Sequence, residues 1–171
     1  ITGPDGGVFI ADWSDLGECH DSDGSYRSSG RIYKVTHGIP IKTVNDFNLA
    51  KLSDAELVNR LGHPNEWHRR HAQRLLQERA VAGHLDKATI PSMRMKFLGE
   101  MKRWPQEGSV ALLLRMLWAL HVTRGLDEAS LMLPLRHTNE HARWWAIRLL
   151  TEDKKVSPAL LAKFVTMARE D

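Results

Sequence analysis

Cysteine is nearly absent: Cys19 is the only one in 171 residues, so no disulfide can close within the chain. This leaves the compartment open, because a core of this size holds without covalent staples in oxidising and reducing surroundings alike. Long apolar runs are also missing. The longest, from Val110 to Val122, is broken by Arg115 and His121 and falls short of the roughly 20 residues that a membrane-spanning helix needs. Recognisable chemical signatures are lacking as well. Cys19-His20 has no preceding cysteine at haem-attachment spacing, and there is no HExxH pair, nucleophile elbow, phosphate-cradling glycine loop or dinucleotide fingerprint. The expectation is a segment without catalytic or cofactor-binding residues of its own. Because it opens on Ile1 and closes inside a helical pattern, it is read as an excised piece with its last repeat divided, and a signal peptide cannot be judged.

The residues that are present fall into two unlike parts. Residues 1–48 carry four Lys/Arg against seven Asp/Glu and seven of the twelve glycines, whereas residues 49–171 carry twenty Lys/Arg against fourteen Asp/Glu. The overall charge of +3 therefore conceals an acidic head at -3 and a basic body at +6. In the head, the turn chemistry of Gly3-Pro4-Asp5-Gly6-Gly7 precedes the apolar run Val8 to Trp13, and a second run spans Gly30 to Thr36. Both read as strands. Two strands do not stand alone in water, so this segment is expected to pair with further strands or lean on the body, with one edge orphaned.

The body repeats itself. Shifting residues 52–78 by 74 positions onto 126–152 gives thirteen identities in 27, among them His63/His137, Asn65/Asn139, Glu66/Glu140, Arg69/Arg143, Ala72/Ala146 and Arg74/Arg148. A shorter recurrence starts at Leu52, Leu85, Leu126 and Val156, each followed by a Ser or Asp able to cap a helix. Apolar residues recur at helical spacing in each unit, as in Val110, Leu113, Leu114, Leu117 and Leu120. The pattern predicts helices over 53–62, 66–80, 86–103, 108–123, 127–136, 140–152 and 157–169, with Pro91 and Pro134 kinking or restarting two of them. Such periods mean stacked helix pairs. The fold class is therefore mainly α: a right-handed α-α superhelix of about three and a half repeats, preceded by a short β segment.

These repeats resemble HEAT repeats. Taken with Gly3-Pro4-Asp5-Gly6-Gly7-Val8-Phe9-Ile10-Ala11-Asp12-Trp13, the Gly17 to Asp21 and Ser29 to Val35 stretches and His63 to Arg70, the chain resembles planctomycete-type secreted, membrane-bound dehydrogenase-like proteins. The resemblance covers essentially all 171 residues. It implies that 1–48 is a β-hairpin-like remnant of a propeller blade plus linker, and 49–171 the HEAT-like segment of a larger extracytoplasmic protein, periplasmic or secreted. It also implies propeller and cytochrome domains as neighbours in the same chain, and quinone and haem c as cofactors of the parent, outside this segment. The function so implied is a non-catalytic scaffold or protein-interaction segment. The alternatives are a structural part of a quinone- and haem-dependent sugar or alcohol oxidoreductase, and a basic nucleic-acid-binding module.

Few side chains are candidates for binding. Asp21 and Asp23, with Asp12, Asp15 and Glu18, make an oxygen-rich loop of the kind calcium uses, but EF-hand spacing and its closing Glu are missing, so a solvated loop is expected. Cys19 and His20 offer a soft metal two ligands where a tetrahedral site needs four. His63 and His137 recur before helix starts, which suits a turn or capping role, and His68 and His71 sit among cations that repel a metal. His121 reads as a core or helix-end residue. Arg69, Arg70, Arg74, Arg143 and Arg148 form a possible binding surface for phosphates, but the recurring Glu66, Glu78, Glu140 and Glu152 are expected to engage them in an inter-repeat ion-pair ladder. Nucleic acid is accordingly not the expected partner. Of the six tryptophans, most are expected in packing and one at a partner groove.

Overall fold

The computed structural model describes residues 1–12, 30–38, 47–104 and 109–170. Cys19, His20 and the acidic loop with Asp15, Glu18, Asp21 and Asp23 lie outside the described residues.

The protein is mainly helical with a small antiparallel sheet. Strand β1 (Val8–Ala11) pairs with β2 (Ile32–Val35) in the register Val8↔Val35 to Ala11↔Ile32. On its other side β1 exchanges bonds with the first residues of the chain, Phe9 N donating to Ile1 O at 2.7 Å. Thus the two sequence-predicted strands find each other. Period-two alternation puts Val8, Ile10, Tyr33 and Val35 on one face, and all four are exposed. That face is a half-exposed apolar surface.

Among the described residues seven α-helices follow: α1 (Asp54–Arg60), α2 (Glu66–Val81), α3 (Thr89–Arg103), α4 (Val110–Val122), α5 (Glu128–Met132), α6 (Glu140–Leu150) and α7 (Pro158–Glu170). Their starts are set by caps. Ser53 and Glu56 close a capping box on α1, Asp127 accepts from Ser130 N on α5, and Ser157 accepts from Leu160 N on α7. The start at Asp86 is the exception, because α3 begins only at Thr89. Asp54 takes the Asp86 N–H at 2.7 Å and the Thr89 hydroxyl at 3.2 Å, holding residues 86–88 as a turn. Pro91 consequently falls in the first turn, where its missing N–H costs nothing. Pro134 acts as anticipated: α5 stops at Met132, and a short 3-10 turn, Pro134–Arg136, completes the predicted span.

Helices pack as consecutive hairpins, α1 with α2, α3 with α4, and α5 with α6. The hairpins stack side by side through α1–α3 in one layer and α2–α4–α6 in the other. The core lies between the layers, where Leu57, Leu61, Leu76, Met93, Leu113, Leu117 and Leu120 are fully buried. Each such side chain contributes about 1.5–3 kcal/mol of burial energy. Ala72 and Ala146, equivalent by the 74-residue shift, are both at zero exposure, so neighbouring backbones approach closely there. A second cluster, Leu135, Ala146, Leu160 and Met167, seats α7 on α6. Among the described residues no helix is long and apolar enough to cross a membrane.

Candidate functional site

The recurring His-x-Asn-Glu-x-x-Arg sequence builds one local structure twice. In the first copy His63 Nδ1 accepts from Asn65 N at 3.0 Å, Asn65 Oδ1 accepts from Trp67 N at 2.9 Å to cap α2, and Arg69 donates to His63 O and Pro64 O at 2.7 and 2.9 Å. In the second, His137 Nδ1 accepts from Asn139 N at 3.0 Å, Asn139 caps α6 through His141 N, and Arg143 donates to His137 O and Thr138 O, each at 3.0 Å. The imidazole closes the turn, the amide starts the helix, and the arginine one helical turn later ties the turn's carbonyls down. This accounts for three of the shared residues, the histidine, the asparagine and the arginine, with backbone chemistry alone.

Among the described residues, the first copy is also engaged from outside the helical body. Asn65 Nδ2 donates to Gly3 O at 2.8 Å and Pro4 O at 3.2 Å, and His68 Nε2 lies 2.9 Å from Pro4 O. The turn before β1 is thereby latched to the start of α2. A cleft of about 490 Å³ lies at this junction, between Pro4–Gly6, Asn48–Leu52 and the His63–His68 corner. Its two imidazoles lie 4.2 Å apart, tilted by 46°, but neither has a carboxylate partner among the described residues, and Asp5 is engaged by Lys34. Among the described residues no Ser, Thr or Cys lines the cleft. Burial, ahead of every other influence, lowers the His68 pKa below its ordinary 6.5, and burial followed by the Arg143 charge does the same at His137. Both imidazoles are kept neutral. Among the described residues no group of three His, Cys, Asp or Glu lies close enough to hold a metal ion.

The five arginines singled out from the sequence do different work. Arg69 and Arg143 hold turns, and Arg70 is largely exposed, with Glu66 at 3.4 Å. Arg74 pairs with Glu78 at 3.3 Å, and Arg148 lies over the Trp144 and Trp145 rings at 5.7 and 5.5 Å. The expected inter-repeat ladder is not how Glu66 and Glu78 are used, since both bond within α2; three- and four-residue spacing puts these partners side by side on one helix. Glu152 does cross between elements, to His121 at 2.8 Å. Trp118 of α4 meets Trp145 of α6 edge to face at 4.9 Å, which is packing between neighbouring repeats. Among the described tryptophans, Trp144 is the solvent-facing one, at 53% exposure. It lines an open cleft with Arg143 and Ile147.

Two features escaped sequence reading. Asp54 is buried yet bonded to Arg79 at 2.6 Å as well as to Asp86 and Thr89, tying α1, α2 and the start of α3 together. Its only sequence signal was a carboxylate beside a cap. Arg115 lines a cleft shared by Arg69 and Arg70, and its signal was a lone cation inside an apolar stripe. No family model matches this chain, and neither the curated proteins nor the solved structures contain a significant match to it.

Proposed function

We propose that the chain is a non-catalytic helical-repeat scaffold of HEAT type, with its hairpins stacked as a superhelix, whose role within a larger dehydrogenase-like secreted protein is to hold a β unit in fixed relation to the repeats. The observation that supports this reading is the first His-x-Asn-Glu-x-x-Arg corner, which caps its helix as the second copy does and additionally grips the Gly3 and Pro4 carbonyls. The half-exposed apolar face of Val8, Ile10, Tyr33 and Val35 then suits a neighbouring β unit of the same protein. The parent's redox groups, quinone and haem c by resemblance, would sit in other domains, and this segment would contribute their spacing.

Asn65→Asp tests the latch. An aspartate keeps the oxygen that caps α2 but loses both donors to the strand-side carbonyls. Limited proteolysis followed by mass spectrometry should show cleavage ahead of α1 accelerating several-fold with helical circular dichroism unchanged, while Asn139→Asp leaves the pattern as it was. If the unaltered protein is cut there as fast as Asn65→Asp, the corner does not hold the β segment and the scaffold reading fails.

A further inference from the structure

The groove between α2 and α4 carries charge and donors that the fold itself does not use. It is about 480 Å³ in volume, within the range of small-ligand pockets and far from the extended face along which a duplex is read. Leu61, Val110 and Leu114 supply apolar walls. Arg69, Arg70 and Arg115 face a single lining carboxylate, Glu66, which already serves both Arg69 and Arg70. Arg115 has no ion-pair partner among the described residues, so two positive charges stand in excess. Arg115 is also close enough to Arg69 for its charge, after burial, to lower the Arg69 pKa. Two buried donors of residues that line the groove, Arg69 Nε and Trp118 Nε1, have no hydrogen-bond acceptor among the described residues. Unanswered buried donors are rare, and guanidinium groups crowded together repel one another unless an anion comes between them.

The repeat supplies an internal comparison. At the equivalent positions on α6, Arg70 and Gln73 are replaced by Trp144 and Ile147, beside Glu140 and Arg143. The turn-holding arginine recurs in both places, but the surplus charge belongs to the α2–α4 groove.

We propose that this groove binds a small organic anion, a carboxylate or phosphate carried on an apolar body, with the anionic head between Arg69 and Arg115 and the body against Leu61, Leu114 and the Trp118 ring. The planar forks of arginine match either oxyanion. A small shift of the Trp118 and Arg69 side chains on binding gives their idle N–H groups an acceptor, and the apolar walls select against the bare ion.

The test follows the Trp118 indole N–H in proton–nitrogen correlation spectra, assigned by its loss in Trp118→Phe, during titration with phenyl phosphate, 3-phenylpropionate and inorganic phosphate. Phenyl phosphate, 3-phenylpropionate or both should move the resonance downfield and saturate in about the 0.1–1 mM range suited to fragment-sized ligands, with inorganic phosphate about tenfold weaker or more. Arg115→Gln should weaken binding about tenfold or more, Arg115→Lys should restore part of it, and Trp144→Ala should leave it unchanged. Retained circular dichroism certifies each variant as folded. The proposal is overturned if no probe moves the resonance, if inorganic phosphate binds as well as phenyl phosphate, or if Arg115→Gln binds like the unaltered protein.

Discussion

Asp54 shows how much one side chain can carry. Its carboxylate is 7% exposed and accepts from Arg79, from the Asp86 amide and from the Thr89 hydroxyl. Burial is the largest single influence on its pKa and pushes it up, but the bonds from Arg79, Asp86 and Thr89 together outweigh it and hold the group below 3.8. The carboxylate is therefore ionised and fully partnered at neutral pH. Removing it leaves the Arg79 guanidinium, still bonded to the Ala50 and Leu52 carbonyls, without its counter-charge and leaves two further donors unpaired, so Asp54→Ala should cost about 3 kcal/mol in chemical denaturation. A double-mutant cycle with Arg79→Ala should return a coupling well above the few tenths found for independent sites. Additive losses would mean that the three elements are not joined through this group. Residues of this kind were the hardest to read from sequence: Ser53, Asn65 and Asn139 act on neighbours two or three positions away, whereas Asp54 acts on partners 25 to 35 positions away.

Helix ends carry the clearest message at the next scale up. α2 finishes with His84 N donating to Arg79 O and Gly83 N to Ala80 O, and Gly83 takes the positive φ of 72° that this motif demands. α4 ends in the same way, with Gly125 N to Leu120 O and Arg124 N to His121 O, but there the left-handed position, φ 58°, falls on Arg124. An L side chain is disfavoured in that region by about 1–2 kcal/mol, part of which glycine gives back through its unfolded-state freedom. Arg124→Gly should therefore stabilise the protein by about 0.5–1 kcal/mol, measured as a higher urea midpoint. A lower midpoint would show that Arg124 makes compensating contacts. The glycine at position 125 invites a sequence reader to end the helix one residue late, because the preference for glycine is statistical and the hydrogen bonds decide. Element existence was legible throughout, since apolar spacing and capping residues are local properties. The late start of α3 was not, because Asp54, from another helix, captures the amide and hydroxyl at its beginning.

Acid sensitivity belongs to the whole molecule, since His68 and His137 are buried at repeat corners 69 positions apart. Both have folded-state pKa values below 6.5, so the unfolded chain takes up protons first as the pH falls. The stability they contribute is complete above about pH 6.5 and declines as the pH drops through their lowered values. The urea midpoint should fall between about pH 7 and about pH 5, and a His68→Gln, His137→Gln variant should lose less over that interval. Equal slopes would assign the sensitivity to other groups.

By itself the sequence determined the mainly helical fold class, the positions of the helices, the acidic β head and the repeated corner, because periodicity, capping and turn chemistry act over a few residues. Tertiary structure decided what those pieces do to one another. It set the Asn65 amide against the Gly3 and Pro4 carbonyls, drew Asp54 to Arg79, Asp86 and Thr89, and brought Arg115 to the groove of Arg69. These pairings depend on how the hairpins stack. Stacking is fixed by shape-matched burial around Ala72, Leu76 and Leu117, and no local pattern encodes it.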